Sequence, residues 1–367
     1  MISELRQHIR FCTSGDGVRI AYASMGSGRP LVKTAHFLTH LEHDLRSPVW
    51  RPWLEELGRH WTLVRYDPRG CGLSDREVDE HSLERWVGDL EAVIDAAGLD
   101  RFALFGAGQG SMTAVIYAAR HPERVTRLVI YSGYARGLME RNPTPEQVRH
   151  ARLVVNLMEL AWGQDNPAFR QVFTSLFVQG ATPDQVDWFN ELERVSTSPK
   201  CAARIVEAFL HPDVSDFARR VRCPTLVAHV RGDPRIPFDE GRVLASLVPG
   251  ARFLPLEGQN HALLAHDPAF PAFFAEMRAF LTADETPRQE PAAFVQLTRR
   301  EREILEVVAH GLDNADIAAR LGLSEKTVRN NITAIFDKLG VSTRAQAVAR
   351  ARDAGFAAHP LDQPRPH

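Results

Sequence analysis

A glycine-rich turn between a predicted strand and a predicted helix constrains the fold of this chain more than any other feature. Residues 104–111 have the frame of the Gly-X-Ser-X-Gly nucleophile elbow, but Gly108 occupies the position of the serine. Such an elbow is a tight, strained turn that holds a nucleophilic oxygen above a sheet. Glycine keeps the turn, because it adopts strained backbone angles at little cost. The hydroxyl is lost.

The length of the chain predicts two domains. At 367 residues it exceeds the range in which a single core usually stops growing. The net charge of -2 by itself predicts no nucleic-acid partner. The charge is unevenly shared, however, because residues 293–367 hold 11 Lys+Arg against 9 Asp+Glu and the rest holds 33 against 37. The two parts of the chain therefore differ in the sign of their net charge.

Cysteine spacing and hydropathy argue against a disulfide-stabilised, metal-binding or membrane-spanning protein. The four cysteines have neither C-x-x-C nor Cys/His spacing, so we expect reduced thiols, no metal site and no cofactor. They are Cys12, Cys71, Cys201 and Cys223. Residues 1–8 lack the apolar core of a signal peptide, and no run of about 18 apolar residues occurs. We therefore expect a cytoplasmic protein with no membrane partner.

Predicted strands and helices alternate along the first part of the chain. Strand patterns cover two strands within residues 10–24, then residues 30–34, 62–66, 102–105, 128–131, 225–230 and 252–256. Helical patterns cover residues 83–97, 111–120 and 268–281. The alternation predicts an α/β fold with a mostly parallel sheet covered on both faces. Residues 137–218 are helical and rich in Phe and Trp, which predicts a cap over the sheet edge where such folds bind ligands.

Composition marks the domain boundary. Residues 284–291 contain two prolines and no large apolar side chain, so we predict a linker over residues 284–295. It separates a first domain, residues 1–283, from a purely helical second domain, residues 296–357. Residues 358–367, which contain further prolines, are expected to be disordered.

Further motifs accompany the elbow frame. Residues 67–74 read Asp-X-Arg-Gly-X-Gly-X-Ser, Asp233 follows one predicted strand and His261 follows the next. With the elbow, this pattern resembles the α/β-hydrolase superfamily over about residues 10–283. In that family the catalytic triad has the chain order nucleophile, acid, histidine. The resemblance therefore implies Asp233 as the acid and His261 as the base.

The resemblance predicts a triad without its nucleophile. Gly108 offers no proton for His261 to take, and Ala35-His36 stands where the family has a His-Gly oxyanion dipeptide. We therefore predict that the chain is not an enzyme. Ser111 lies in the first turn of the next helix, which favours a structural role. Activation of water by the remaining acid–histidine pair stays open.

A ligand pocket is expected where the triad would lie. A cap rich in Phe and Trp predicts a small, largely apolar effector held by a few polar groups. The candidate pocket residues are Ala35, His36, Phe37, His40, Gly108, Gln109, Trp162, Asp233 and His261. Most of the cap aromatics are also expected to form the core of the cap.

The second domain begins with a predicted capping box. Thr298 and Glu301 have the required spacing of three residues, and an apolar helical stripe follows them. A short helix over residues 314–321 is followed by glycine, and Ser324 caps a third helix. Two helices joined by a Gly-Leu turn predict a helix-turn-helix.

The third helix has separate apolar and polar faces. Its apolar residues Val328, Ile332, Ile335, Phe336 and Leu339 fall within a sector of about 100°. This domain resembles the LuxR-type (GerE-like) helix-turn-helix family over about residues 296–357. The resemblance rests on residues 297–301, 314–318, 324–330 and 338–341. It implies double-stranded DNA as partner, with the third helix in the major groove.

The same resemblance assigns the DNA contacts. Arg329, Asn330 and Thr333 would meet base edges, since Arg suits guanine and Asn suits adenine. The expected phosphate contacts are Lys326, Thr327, Asn331 and Lys338, and Asn331 stands where many relatives have histidine. Residues 344–351 form a helix with a small-residue face suited to pairing with its copy, so a homodimer is expected.

The fusion of the two domains suggests the function. The leading hypothesis is a ligand-responsive, sequence-specific transcription regulator in which the hydrolase-like domain is a small-molecule receptor. One alternative is an active or dyad-based hydrolase that also binds DNA. Another is a first domain that only holds two DNA-binding domains together and takes no ligand. Ligand regulation requires the effector to bind two states of the protein with different affinity.

Overall fold

The computed structural model describes residues 6–164, 167–283, 297–341 and 343–353. The chain divides into two compact units, Met1–Leu281 and Thr282–His367. The linker predicted at residues 284–295 and the tail predicted at residues 358–367 lie outside the described residues. Each unit is described by itself below.

The first unit is built on one eight-stranded sheet. The strands are β1 (Gln7–Thr13), β2 (Arg19–Met25), β3 (Pro30–Lys33), β4 (Thr62–Tyr66), β5 (Phe102–Ala107), β6 (Val125–Tyr131), β7 (Thr225–Val230) and β8 (Arg252–Leu256). They lie in the order β1-β2-β4-β3-β5-β6-β7-β8. Strand β2 is antiparallel to β1 and β4, and the remaining pairs are parallel. The predicted α/β class is confirmed.

Helices cover both faces of this sheet, which is typical of parallel sheets. They are α1 (Leu41–Asp44), α2 (Trp50–His60), α3 (Leu83–Ala96), α4 (Gly110–Arg120), α5 (Pro145–Ala161), α6 (Pro167–Thr174), α7 (Pro183–Ser196), α8 (Pro199–Ala208), α9 (Ser215–Ala218), α10 (Phe238–Leu247) and α11 (Ala269–Thr282). A short 3-10 helix spans Leu138–Arg141. One core packs α2 and α11 against the sheet, and a second core packs α3, α4 and α10.

The segment between β6 and β7 forms the helical cap. Its helices α5 and α7 each begin with a complete capping box and a proline in the first turn, so their start points are encoded locally. Several cap aromatics are fully buried, among them Trp162, Phe173 and Phe189. They join the same core as α2 and α11. The cap therefore packs on the sheet through one continuous apolar cluster.

A buried polar network fixes the loop after β4. The Arg69 guanidinium is 1% exposed and donates to both oxygens of Asp89, at 2.9 and 2.6 Å. It also donates to Asp16, whose pKa falls to about 2 because of this hydrogen bond. Asp67 accepts the backbone N–H groups of Leu41 and Leu73. These bonds hold the loop against the start of α1.

The second unit consists of four described helices. They are α12 (Arg299–Ala309), α13 (Asn314–Leu321), α14 (Glu325–Leu339) and α15 (Arg344–Asp353). The capping box of Thr298 and Glu301 is present, and Ser324 accepts the N–H of Thr327. Gly322 has φ +65°, which ends α13 in the left-handed region that glycine favours. The apolar side chains form a separate core in this unit.

Candidate ligand pocket and nucleic-acid interface

The turn between β5 and α4 places Gly108 directly beneath a histidine. Gly108 has φ +51°, and its N–H donates to the Tyr131 carbonyl at 3.0 Å. A Cβ built on Gly108 would lie 3.2 Å from His261 Nε2. The Ser111 hydroxyl is fully buried and donates to the Gly108 carbonyl at 2.6 Å. Ser111 therefore closes the first turn of α4 and does not face the pocket.

His261 and Asp233 form a buried acid–base pair. His261 Nδ1 lies 2.8 Å from Asp233 Oδ2, while Oδ1 of the same carboxylate accepts the N–H groups of Arg235 and Ile236. Burial raises the pKa of Asp233, but the charge and hydrogen bond of His261 outweigh it and hold this pKa below its usual value. The carboxylate thus stays ionised and orients the imidazole, as the acid of a triad does.

An aromatic pocket opens above Gly108 and His261. The cavity inside it is small, about 20 Å³, which is room for about one water molecule, so a larger ligand must displace side chains of the wall. The lining residues are Lys33, His36, Phe37, Trp50, Trp53, Ala107, Gly108, Gln109, Tyr131, Phe177, Phe189, His261 and Ala262. A mainly apolar wall with a few polar groups is typical of small-molecule sites. A neighbouring cavity, also of about 20 Å³, shares His36 and Phe37 with it and includes Ala35.

The pocket brings together only part of the predicted set. His36, Phe37, Gly108, Gln109 and His261 line it. Three predicted residues have other roles, which corrects the sequence-based assignment. His40 caps α1 by accepting the His43 N–H, Trp162 is buried and donates to the Glu193 carbonyl, and Asp233 lies behind His261.

Sequence reasoning missed much of the wall. The additional residues are Lys33, Trp50, Trp53, Ala107, Tyr131, Phe177, Phe189 and Ala262. Trp50 and Trp53 belong to α2, a helix that the sequence analysis did not predict. Their three-residue spacing is a helical signal that was available and would have found them. Lys33 lies at the end of a buried strand, where a lone lysine is itself unusual.

The polar face of α14 is accessible to solvent. Lys326, Thr327, Arg329, Asn330 and Thr333 are all exposed, so the predicted contact residues share one open face. Opposite them, the apolar face of the helix is buried in the core of this unit. This division is the one that a recognition helix needs, with one face packed and the other free for a groove.

Three of the predicted phosphate contacts have intramolecular partners, among them Thr327, whose hydroxyl lies 2.8 Å from the Ser324 hydroxyl. Lys338 Nζ lies 2.8 and 2.7 Å from the two carboxylate oxygens of Glu301, so it joins α14 to the start of α12. Asn331 is half-buried and donates to the Thr327 carbonyl at 2.8 Å. The ion pair of Lys338 is a structural role that the sequence analysis missed.

Comparison with protein families agrees with both units. Residues 45–268 match the family described as alpha/beta hydrolase fold, and residues 295–351 match bacterial regulatory proteins of the luxR family. The chain therefore belongs to the α/β-hydrolase fold family, and it carries a LuxR-type helix-turn-helix domain that implies DNA binding. Both predicted resemblances are confirmed. Within the described residues, no helix has the length and apolar character needed to cross a bilayer.

Three similar proteins cover the first unit. The chain is 27% identical over 258 residues to a putative carbamate hydrolase RutD of Azorhizobium caulinodans, covering 69% of this chain and 92% of the relative. It is 25% identical to a pyrrolizixenacetamide deacetylase of Xenorhabdus hominickii, covering 73% and 97%. An enol-lactonase structure from Burkholderia xenovorans shares the fold, with TM-score 0.59 and 22% identity over 74% of this chain and 100% of that one.

These relatives correct one prediction. The sequence analysis predicted that the chain is not an enzyme, because Gly108 lacks a hydroxyl. The named relatives are hydrolases over almost their whole length, so the comparisons point to a hydrolase family. Without a serine at position 108 the covalent mechanism of a serine hydrolase is not available, but this absence alone does not define the activity of the domain.

Proposed function

We propose that the chain is a sequence-specific transcription regulator of the bacterial cytoplasm, and that its hydrolase-fold domain binds a small molecule in the pocket above Gly108. The observation that carries this proposal is the aromatic pocket itself. Six of its thirteen wall residues are Trp, Phe or Tyr, and Lys33, His36 and His261 supply the polar groups that would orient a ligand. The same chain presents an exposed recognition helix.

Regulation by a ligand requires that the ligand bind two states of the protein with different affinities. A ligand that binds the DNA-competent and the DNA-incompetent state equally well shifts nothing, however tightly it binds. Coupling of about 1–3 kcal/mol, which changes affinity by about 5–150-fold, is typical of allosteric proteins. We propose coupling in this range. DNA binding by a homodimer would then use two recognition helices on two half-sites.

A second candidate function is hydrolysis, favoured by the His261–Asp233 pair and by the names of the relatives. In this reaction His261 Nε2 takes a proton from a water molecule as the water oxygen attacks the ligand carbonyl. Asp233 stabilises the imidazolium that forms, and His261 then gives the proton to the leaving group. No covalent intermediate with residue 108 is involved. An ester, amide or carbamate would fit this chemistry.

Native mass spectrometry of the full-length protein tests the proposal. We expect a retained or added small molecule, lost when Ala262 at the pocket wall is replaced by Trp. Operator affinity, measured by fluorescence anisotropy on a duplex selected from a random pool, should differ between the liganded and the ligand-free protein. Equal affinity in both states would refute ligand regulation.

The hydrolysis candidate has its own test. The full-length protein is assayed with panels of esters, amides and carbamates, beside the variant His261→Ala. If the wild type produces acid and the variant does not, the domain is a hydrolase that works without a serine at position 108. Products formed equally by both proteins would exclude His261 as the base.

A further inference from the structure

One end of the pocket carries an unusual group of nitrogen atoms. Lys33 is buried on β3, beside Arg65 of β4 in the strand register, and its Nζ lies 2.9 Å from His36 Nδ1. An ammonium group has three hydrogens to donate, so this contact leaves Lys33 with capacity for another acceptor. Both residues line the pocket above Gly108.

Two further nitrogen atoms at this end have no partner. His36 Nε2 and Trp50 Nε1 are buried and have no hydrogen bond within the described part of the chain. The two rings are in edge contact, with centroids 4.8 Å apart. When Lys33 donates to His36 Nδ1, the hydrogen of the neutral imidazole must be on Nε2, so both orphan nitrogens are donors. Two unpartnered donors beside an ammonium group at one end of the pocket can together hold one acceptor group of a ligand.

We propose that Lys33, His36 and Trp50 bind the carboxylate of a small aromatic or aliphatic acid, whose apolar body packs against Trp53, Phe177 and Phe189. This inference rests on the proposed receptor function and names the ligand class. One carboxylate oxygen accepts from Lys33, and the other accepts from His36 and Trp50. A carboxylic acid is also the product that ester hydrolysis releases.

The charged groups around Lys33 determine how an acid can be accommodated. Asp44 and Asp67 face Lys33, and Arg65 pairs with Asp44 at 2.9 Å, so the formal charges of these four groups cancel. Burial lowers the pKa of Lys33 to about 7 and raises the pKa of Asp44 to about 7. A bound carboxylate adds one negative charge, which the cluster can balance by holding one more proton.

This balance gives the sign of the pH dependence. Below about pH 7 the cluster around Lys33 already holds the extra proton. The affinity for a carboxylic acid therefore does not change with pH until the carboxylate of the ligand itself becomes protonated. Above about pH 7, Lys33 and Asp44 lose their protons, so binding of an acid must take protons up again and its affinity falls as the pH rises. His36 also faces His261, and burial keeps the pKa of His36 well below its usual value, so His36 stays neutral. A neutral ligand has no such dependence.

Isothermal titration calorimetry of the full-length protein with matched ligands tests the inference. The probes are phenylacetate and octanoate, each with its primary amide, at pH 6.0, 7.0 and 8.5. We expect each acid to bind about tenfold more tightly than its amide at pH 6.0, since a charged hydrogen bond is stronger than a neutral one. The acids should weaken towards pH 8.5, and the amides should not.

Two variants identify the residues. Trp50→Phe removes one N–H and keeps the ring, so it should weaken acid binding about fivefold. Lys33→Met should abolish the preference for acids and its pH dependence. If Lys33→Met fails to fold, the Trp50 variant and the pH series of the wild type still test whether the pocket binds a carboxylate.

Amides that bind as tightly as acids, or acids whose affinity ignores pH, would overturn the carboxylate site while leaving the receptor function intact. If neither class binds, the carboxylate site is wrong, and native mass spectrometry together with the operator assay then decides the receptor function separately.

Discussion

Replacing Gly108 by serine tests the geometry of the elbow most sharply. A side chain at φ +51° is in the left-handed region, which costs a non-glycine residue about 1–2 kcal/mol. The new Cβ would also lie 3.2 Å from His261 Nε2, so the imidazole must shift by a few tenths of an ångström. In a protein of this size each kcal/mol lowers the melting temperature by about 2–4 °C. We therefore expect Gly108→Ser to melt roughly 2–5 °C lower than the wild type.

The same substitution should create a nucleophile. With Cβ 3.2 Å from Nε2, a staggered rotamer brings the serine oxygen within hydrogen-bond reach of His261, which Asp233 already orients. Gly108→Ser should react with a fluorophosphonate probe, which adds to activated serines. Gly108→Ala is the matched control, because it has the same backbone strain and no hydroxyl. We expect weak ester turnover by the serine variant, since His36 stands where the oxyanion loop of the family has its glycine.

Two results would refute this reasoning. If Gly108→Ala is as stable as the wild type, the cost assigned to the left-handed conformation is wrong. If Gly108→Ser is folded and does not react with the probe, the histidine and residue 108 do not have the geometry of a nucleophile and its base. Fast turnover by Gly108→Ser would show that the loop at Ala35 still supplies an oxyanion hole.

Three other predictions concern single side chains. Ser111→Ala should destabilise the protein by about 1–2 kcal/mol, because the Gly108 carbonyl loses the shorter of its two hydrogen bonds and the Tyr134 N–H loses this acceptor, and it should leave ligand binding unchanged in calorimetry. Arg329→Ala should weaken binding to a selected operator by about 1–3 kcal/mol in anisotropy titrations, whereas unchanged affinity would contradict the recognition-helix assignment. Glu301→Gln breaks the ion pair with Lys338 and should cost about 1 kcal/mol of stability. Burial raises the pKa of Glu301, but the hydrogen bonds from Lys338 and Thr298 lower it by more, so this pKa lies below its usual value of 4.5 in the folded protein. The ion pair therefore stabilises the wild type above pH 4.5, and this contribution to stability is lost as the pH falls through the lowered pKa. In calorimetry the Gln variant should lack this acid-dependent loss.

Much of the sheet could be predicted from the sequence, because its strands are buried apolar runs bounded by turns. The predicted bounds of β4, β7 and β8 coincide with the observed strands. Helices α2 and α10 were not predicted. The start of α2 does carry a local signal that the sequence analysis missed, because the Ser47 hydroxyl accepts the N–H groups of Val49 and Trp50. Packing of its two tryptophans on the core also stabilises it.

The candidate site was predictable only where a motif marks it. Gly108 and His261 belong to sequence motifs, and they lie together as expected. Lys33 and Trp50 belong to no motif, and their place in the wall depends on how β3 and α2 meet. Lys338 shows that a motif can also mislead. Its charge suggested a phosphate contact, but in the structure it forms an ion pair with Glu301. Side-chain partners that are distant in sequence are not visible in a local pattern.

The central claim is that the pocket above Gly108 controls DNA binding. It is tested most directly by measuring the operator affinity of the full-length protein with and without a molecule that calorimetry has shown to bind the pocket, at one salt concentration, since DNA affinity depends strongly on salt. The account predicts a change of at least about fivefold, which disappears when the pocket is filled by Ala262→Trp. The same affinity at saturating ligand and without ligand would contradict it.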